Sequence, residues 1–104
     1  MKRPKRNPQI VWRHEQRREE EVLKAQERGE AVDERGTVIL IVSGTMHQLN
    51  LVGGHIWSLC DGSRGIDGVI DALAGEFAVE RDELADDVVD FISDLEKRGW
   101  LEYV

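Results

Sequence analysis

Apolar and polar positions change their period several times along this chain. Thr37-Val38-Ile39-Leu40-Ile41-Val42 is an unbroken, largely β-branched run, which predicts a strand buried on both faces or lying at a sheet centre. Ser43-Gly44 is a two-residue turn signal, and Thr45-Met46-His47-Gln48-Leu49 is the returning strand of a β-hairpin. Strand geometry puts His47 and Leu49 on one face and Met46 and Gln48 on the other. Asn50 can stop the strand and cap a helix, because its side chain accepts a hydrogen bond from an otherwise unpaired backbone N–H.

Three helical patterns follow. Val52 to Leu59 is short, carries Ile56, Trp57 and Leu59, and ends at Asp61-Gly62. Ile66 to Phe77 sets Ile66, Val69, Ile70, Leu73 and Phe77 on one stripe. Glu80 to Arg98 does the same with Leu84, Val88, Phe91, Ile92 and Leu95. Gly99 is placed to end that helix, and Trp100 to Val104 alternates like a short final strand. Upstream, Ile10 to His14 reads as a strand after Pro8. Residues 15–35 are charged and predict a helix over about 16–28, ended by Gly29 and largely exposed, because their apolar content is only Val22, Leu23, Ala25, Ala31 and Val32. Residues 1–9 read as a flexible basic arm, and 10–104 as one domain with a charged insertion at about 15–35. A hairpin within a three-stranded sheet, three helices and a short strand make a winged-helix-like α+β fold.

Composition narrows the function. With 104 residues, one domain is expected, and one cysteine excludes an internal disulfide framework or a multi-thiolate metal site built from this chain alone. No apolar run reaches the roughly 20 residues that span a bilayer. MKRPKRNPQ has no apolar stretch behind its basic residues, so it is not a secretory signal, and a soluble cytoplasmic domain is the expectation. Charge is unevenly spread: residues 1–60 hold ten basic and eight acidic side chains, residues 61–104 four basic and thirteen acidic. The last predicted helix carries eight acids between Glu80 and Glu96 and one base, Arg81. Such a helix repels a phosphate backbone, so the winged-helix pattern does not bring DNA reading with it; an acidic regulator is the weakest alternative.

Candidate chemistry is sparse. His14, His47 and His55 form no i,i+4 metal pair, and Cys60 has no base beside it in sequence. Asp86, Asp87, Asp90 and Asp94 lie at helical spacing without the glycine-punctuated loop that calcium requires. The glycines at 53, 54, 62, 65 and 68 match neither a P-loop nor a dinucleotide fingerprint. The chain does not read as an enzyme: no catalytic residue, metal or cofactor is expected.

From Met46-His47-Gln48-Leu49-Asn50 through Ile56-Trp57-Ser58-Leu59-Cys60-Asp61-Gly62 the sequence resembles the PqqD family, small proteins that recognise the leader segments of ribosomally made, post-translationally modified peptides (RiPP recognition elements). The resemblance continues through Val69-Ile70 and Leu73, then Asp87-Val88-Val89-Asp90-Phe91 and Leu95, to Gly99-Trp100-Leu101, covering roughly 36–103. The insertion at 15–35, with Gly-Thr-Met-His-Gln-Leu-Asn at 44–50, looks most like the GeoRSP-type branch, whose genes accompany radical S-adenosylmethionine (SAM) enzymes with a SPASM extension. The family implies a non-catalytic chaperone that binds a precursor's leader peptide and presents it to such a maturase, without nucleic acid or membrane. An extended peptide would add to the edge Thr45, Met46, His47, Gln48, Leu49, with the last helix as the other wall through Leu84, Asp87, Val88, Phe91, Ile92 and Leu95. Asp87, Asp90 and Asp94 would favour a leader carrying Lys or Arg. Against this, apolar residues at helical spacing serve cores far more often than grooves. An adaptor that docks on an enzyme without touching peptide is the runner-up.

Overall fold

The hairpin forms as its turn chemistry requires. In the computed structural model, which describes residues 2–29 and 36–104, strands β3 (Val38–Val42) and β4 (Thr45–Leu49) are antiparallel, with Val42 opposite Thr45. Ser43 and Gly44 both take positive φ, 50° and 79°, the combination of a type I′ turn whose twist matches that of the strands. Strand β2 (Val11–His14) pairs antiparallel with the other side of β3, giving a three-stranded sheet in the order β2-β3-β4. Residues 30–35 of the charged insertion lie outside the described residues.

The chain divides into two compact units, Gln9–Gly54 and Met1–Pro8 with His55–Val104. In the first, β3 is central as expected, but it is covered on one face only. Val38 and Leu40 are buried, whereas Ile39 is half-buried and Ile41 is 42% exposed. Helix α1 (Gln16–Glu27) leaves directly from β2: the Glu15 N–H donates to the Thr37 carbonyl at 2.7 Å, the His14 ring meets Glu19, and the Arg18 guanidinium donates to the Gly36 carbonyl. The helix is less exposed than its composition predicts, since Val22 and Ala25 are fully buried. Helix α2 (Leu51–Leu59) begins on the expected cap, the Asn50 side-chain oxygen accepting the Gly53 N–H at 2.8 Å. Gly54 permits close approach to the sheet: a Cβ there would lie 2.8 Å from the Val38 side chain.

The second unit contains α3 (Ile66–Phe77), α4 (Arg81–Lys97) and a two-stranded sheet of β1 (Pro4–Arg6) with β5 (Leu101–Tyr103). Strand β1 replaces the loose arm expected there. Pro4 lies opposite Tyr103, Arg3 and Val104 exchange backbone hydrogen bonds at 3.2 and 3.0 Å, and the Arg6 N–H donates to the Cys60 carbonyl at 2.9 Å. The Arg6 guanidinium donates to the Trp57 and Ser58 carbonyls, where a helix C-terminus favours a cation. Trp57, Val69, Leu73, Val88, Ile92 and Leu95 are buried. Arg81 joins the two helices, its Nε 2.6 Å from Asp71 and a terminal nitrogen 3.0 Å from Asp67. Helix α4 ends in a Schellman arrangement: Gly99 takes φ 78°, its N–H donates to the Glu96 carbonyl, and the Trp100 N–H donates to the Leu95 carbonyl. Among the described residues no helix is long and apolar enough to cross a membrane.

Candidate functional site

Strand β4 is an outer strand: among the described residues nothing pairs with its far side. Which of its backbone groups face that edge follows from the turn. A two-residue hairpin makes its closing pair, Val42 and Thr45, a hydrogen-bonded pair, and such pairs alternate along an antiparallel ladder. Leu40 with His47 and Val38 with Leu49 are therefore the next ones. The Leu49 carbonyl fits this order, accepting the Thr37 N–H at 2.8 Å from the β3 side. Met46 and Gln48 accordingly turn their N–H and C=O groups outward, two donors and two acceptors along one margin.

The side chains of the same strand divide by face. Leu49 is buried and His47 half-buried on the covered face; Thr45, nearest the turn, is exposed. On the opposite, open face Met46 is 58% exposed and sits opposite Ile41, which itself sits opposite Val11. These three with Trp12, Arg13 and Ile39 line a hollow of about 270 Å³. Ile39 and Ile41 were not singled out by sequence, because a strand apolar at every position shows no period, and Val11 on β2 joins them only through its pairing with Ile41. The usable signal was that β3 is apolar on two faces.

Helix α4 belongs to the other unit. Its stripe separates by burial. Val88, Ile92 and Leu95 are at most 2% exposed and belong to the core. Leu84 and Phe91 are half-buried, Asp87 is exposed, and Val89, not among the expected contacts, is 44% exposed. Asp94 is held by Arg98 at 3.0 Å and Arg81 is engaged by Asp67 and Asp71, while no ion pair holds Asp86, Asp87 or Asp90 among the described residues. Those three carboxylates are exposed on the helix that also exposes Val89, with no cation paired to them among the described residues.

The remaining chemistry-bearing side chains have structural occupations. Burial pushes the Cys60 thiol up to about 12, far from a nucleophile's range. Asp61 accepts from the Ser63 N–H and hydroxyl, which hold its carboxyl below the usual range, and His55 packs edge-on against Phe77 with ring centroids 5.1 Å apart. Among the described residues no group of three or more His, Cys, Asp or Glu side chains is placed to hold a metal ion.

The described residues define a small α+β domain of winged-helix type with a strand margin that none of them pairs with. The chain belongs to the PqqD family (coenzyme PQQ synthesis protein D), whose pattern it matches over residues 20–101, reaching into the charged insertion. It is 40% and 43% identical over 47 residues to proteins named PqqA binding protein from Rhodopseudomonas palustris strains BisB5 and TIE-1. Those alignments cover 45% of this chain and 46% of the relatives, so the chain spans about half the length of the curated relatives it matches. Among solved structures it is similar to TbiB1 in complex with the TbiA(beta) leader peptide, with a TM-score of 0.63, 27% identity and 94% of each chain covered. It also shares its fold with the PqqD truncation of Methylobacterium extorquens PqqCD, described as a stand-alone RiPP recognition element, at a TM-score of 0.62 and 13% identity over 95% of this chain and 87% of that one.

Proposed function

We propose that this chain is a non-catalytic peptide chaperone: it binds the leader segment of a ribosomally synthesised precursor peptide and presents it to the enzyme that modifies the rest. The observation that carries the reading is the outward-turned backbone of Met46 and Gln48 on β4, in a member of the PqqD family. An extended leader adds as a further strand, its own N–H and C=O groups taking up those of the margin. Net stabilisation per backbone hydrogen bond is only about 1 kcal/mol, so backbone pairing sets orientation and side chains supply most of the selectivity. The TbiA(beta) leader peptide in complex with TbiB1 supports this class of ligand.

We assign further contacts to Leu84, Asp87 and Phe91 on α4, the members of its stripe that retain exposed surface. Asp86, Asp87 and Asp90 favour a leader carrying Lys or Arg, chiefly through faster encounter. The partner we expect is a radical SAM enzyme with a SPASM extension, on the resemblance of residues 15–35 and 44–50 to the branch that accompanies such enzymes. The bond-making chemistry belongs to that enzyme, and the compartment is the cytoplasm, where precursor and maturase meet.

The test is a titration of the isotope-labelled chain with synthetic leaders of the short reading frames neighbouring its gene. Binding at micromolar or tighter affinity with amide shifts at residues 45–49 and 84–91 is expected. Absence of binding to every such peptide, with or without the neighbouring maturase, would remove the reading. Tight enzyme binding with leader-independent modification would favour the adaptor instead.

A further inference from the structure

The hollow on the open face of the sheet has no part in the reading above, which uses the strand's margin and α4. It is also not covered by any described element of its own unit: Val11 is 69%, Ile41 42% and Met46 58% exposed. Three large apolar side chains in one row across three strands form an unusual solvent face for an otherwise highly charged chain. The only charged lining residue among the described ones, Arg13, is already matched, with its Nε and a terminal nitrogen 3.0 and 2.6 Å from Glu15. The hollow therefore calls for an apolar occupant and not for an anion.

Sheet geometry says where that occupant comes from. All pairings in this sheet are antiparallel, and a strand that continues the pattern on β4 forms hydrogen-bonded pairs with Met46 and Gln48, the residues whose backbone faces outward. Directly paired residues put their side chains on the same face, here the open one. Resting on the strand addition proposed above, we infer that the open face is a second reading surface for the leader. The leader residue paired with Met46 lays a large apolar side chain, aromatic for preference, across Met46 toward Ile41, while the residue two positions earlier pairs with Gln48 and is polar. Neighbouring strands are about 4.8 Å apart, so a ring on the added strand lies over the Met46 side chain and reaches the rim of the hollow. Methionine suits that position, since its flexible thioether adapts to a ring and contacts it favourably. The Arg13 guanidinium, paired with Glu15 on the β2 side of the hollow, offers a planar partner there. The leader is thereby read on both faces: residues of one parity by the covered side, those of the other by Met46, Ile41 and Gln48.

The test selects a random peptide library, displayed on its encoding RNA, against the full chain and against Met46→Glu and Gln48→Lys variants. Both positions are exposed, so neither change disturbs the core. Binders that shift the β4 amides of the unmodified chain should share a polar residue followed two positions later by a large apolar one. Met46→Glu should replace that apolar residue by Lys or Arg, and Gln48→Lys should turn the earlier one acidic, as cross-strand pairing requires. Met46→Ala and Ile41→Thr should each weaken a fixed binder by about tenfold. Binders that shift the β4 amides yet show the same residues against all variants would overturn this inference and leave leader binding intact. A library in which no binder shifts the β4 amides would bring down both.

Discussion

Replacing Met46 by proline removes one N–H that points away from β3 and no bond of the hairpin itself, a position where sheets tolerate proline. The variant should keep its fold by circular dichroism and lose leader binding by at least tenfold in a polarisation titration, about the cost of one charge-free hydrogen bond and the geometry it fixes. His47→Pro, one residue on, deletes a ladder bond and should unfold the hairpin instead. Unchanged affinity in a folded Met46→Pro chain would move the site off this edge. Cys60 gives the pH dependence. Its thiol would ionise near 9.0 in the unfolded chain and near 12 in the folded one, so the neutral form favours folding. That contribution is complete below about pH 9 and is lost as pH rises toward 12, so denaturant midpoints should fall over this window. Cys60→Ala should flatten part of that fall, and the native thiol should resist alkylation at pH 8 until denaturant is added.

Most elements were legible in the sequence because their ends are chemically marked. Ser43-Gly44, Asn50, Gly29 and Gly99 each stop or turn the chain where the pattern of apolar residues also changes, and α3 occupies the expected Ile66–Phe77. Strand β4 itself was legible for the same reason, but which of its backbone groups turn outward follows only from the register of the hairpin. What stayed hidden depends on distant partners. Pro4–Arg6 has no apolar alternation, and it becomes a strand only because Leu101–Tyr103 lies alongside. The open face of β3 was concealed by uniform hydrophobicity, and the division of the α4 stripe into core and surface depends on tertiary burial. One element end breaks the usual rule: Ala78, not glycine, takes the left-handed position after α3, with φ 52°. Its Cβ costs about 1–2 kcal/mol there, so Ala78→Gly should raise stability by about 0.5–1 kcal/mol, read as a higher denaturation midpoint with unchanged slope.

At the scale of the whole molecule, charge is the strongest signature. The formal net charge of −7 and the exposed Asp86, Asp87 and Asp90 predict that association with a basic leader slows as salt rises while dissociation changes little. Stopped-flow measurements across about 0.05–0.5 M salt check this, and Asp87→Asn with Asp90→Asn should remove most of the salt dependence. A salt-independent rate would leave the acidic face as a solubilising surface only.

Arg3 and Val104 bond to each other across the β1–β5 pair, so chain entering at residue 3 and chain leaving at residue 104 would do so side by side. Anything tethered through a short linker to the front of the chain starts from nearly the same spot as something tethered to the back. Covalent fusions to a maturase in either order should consequently deliver a captured substrate with similar rates, as single-turnover assays of the two orders would reveal.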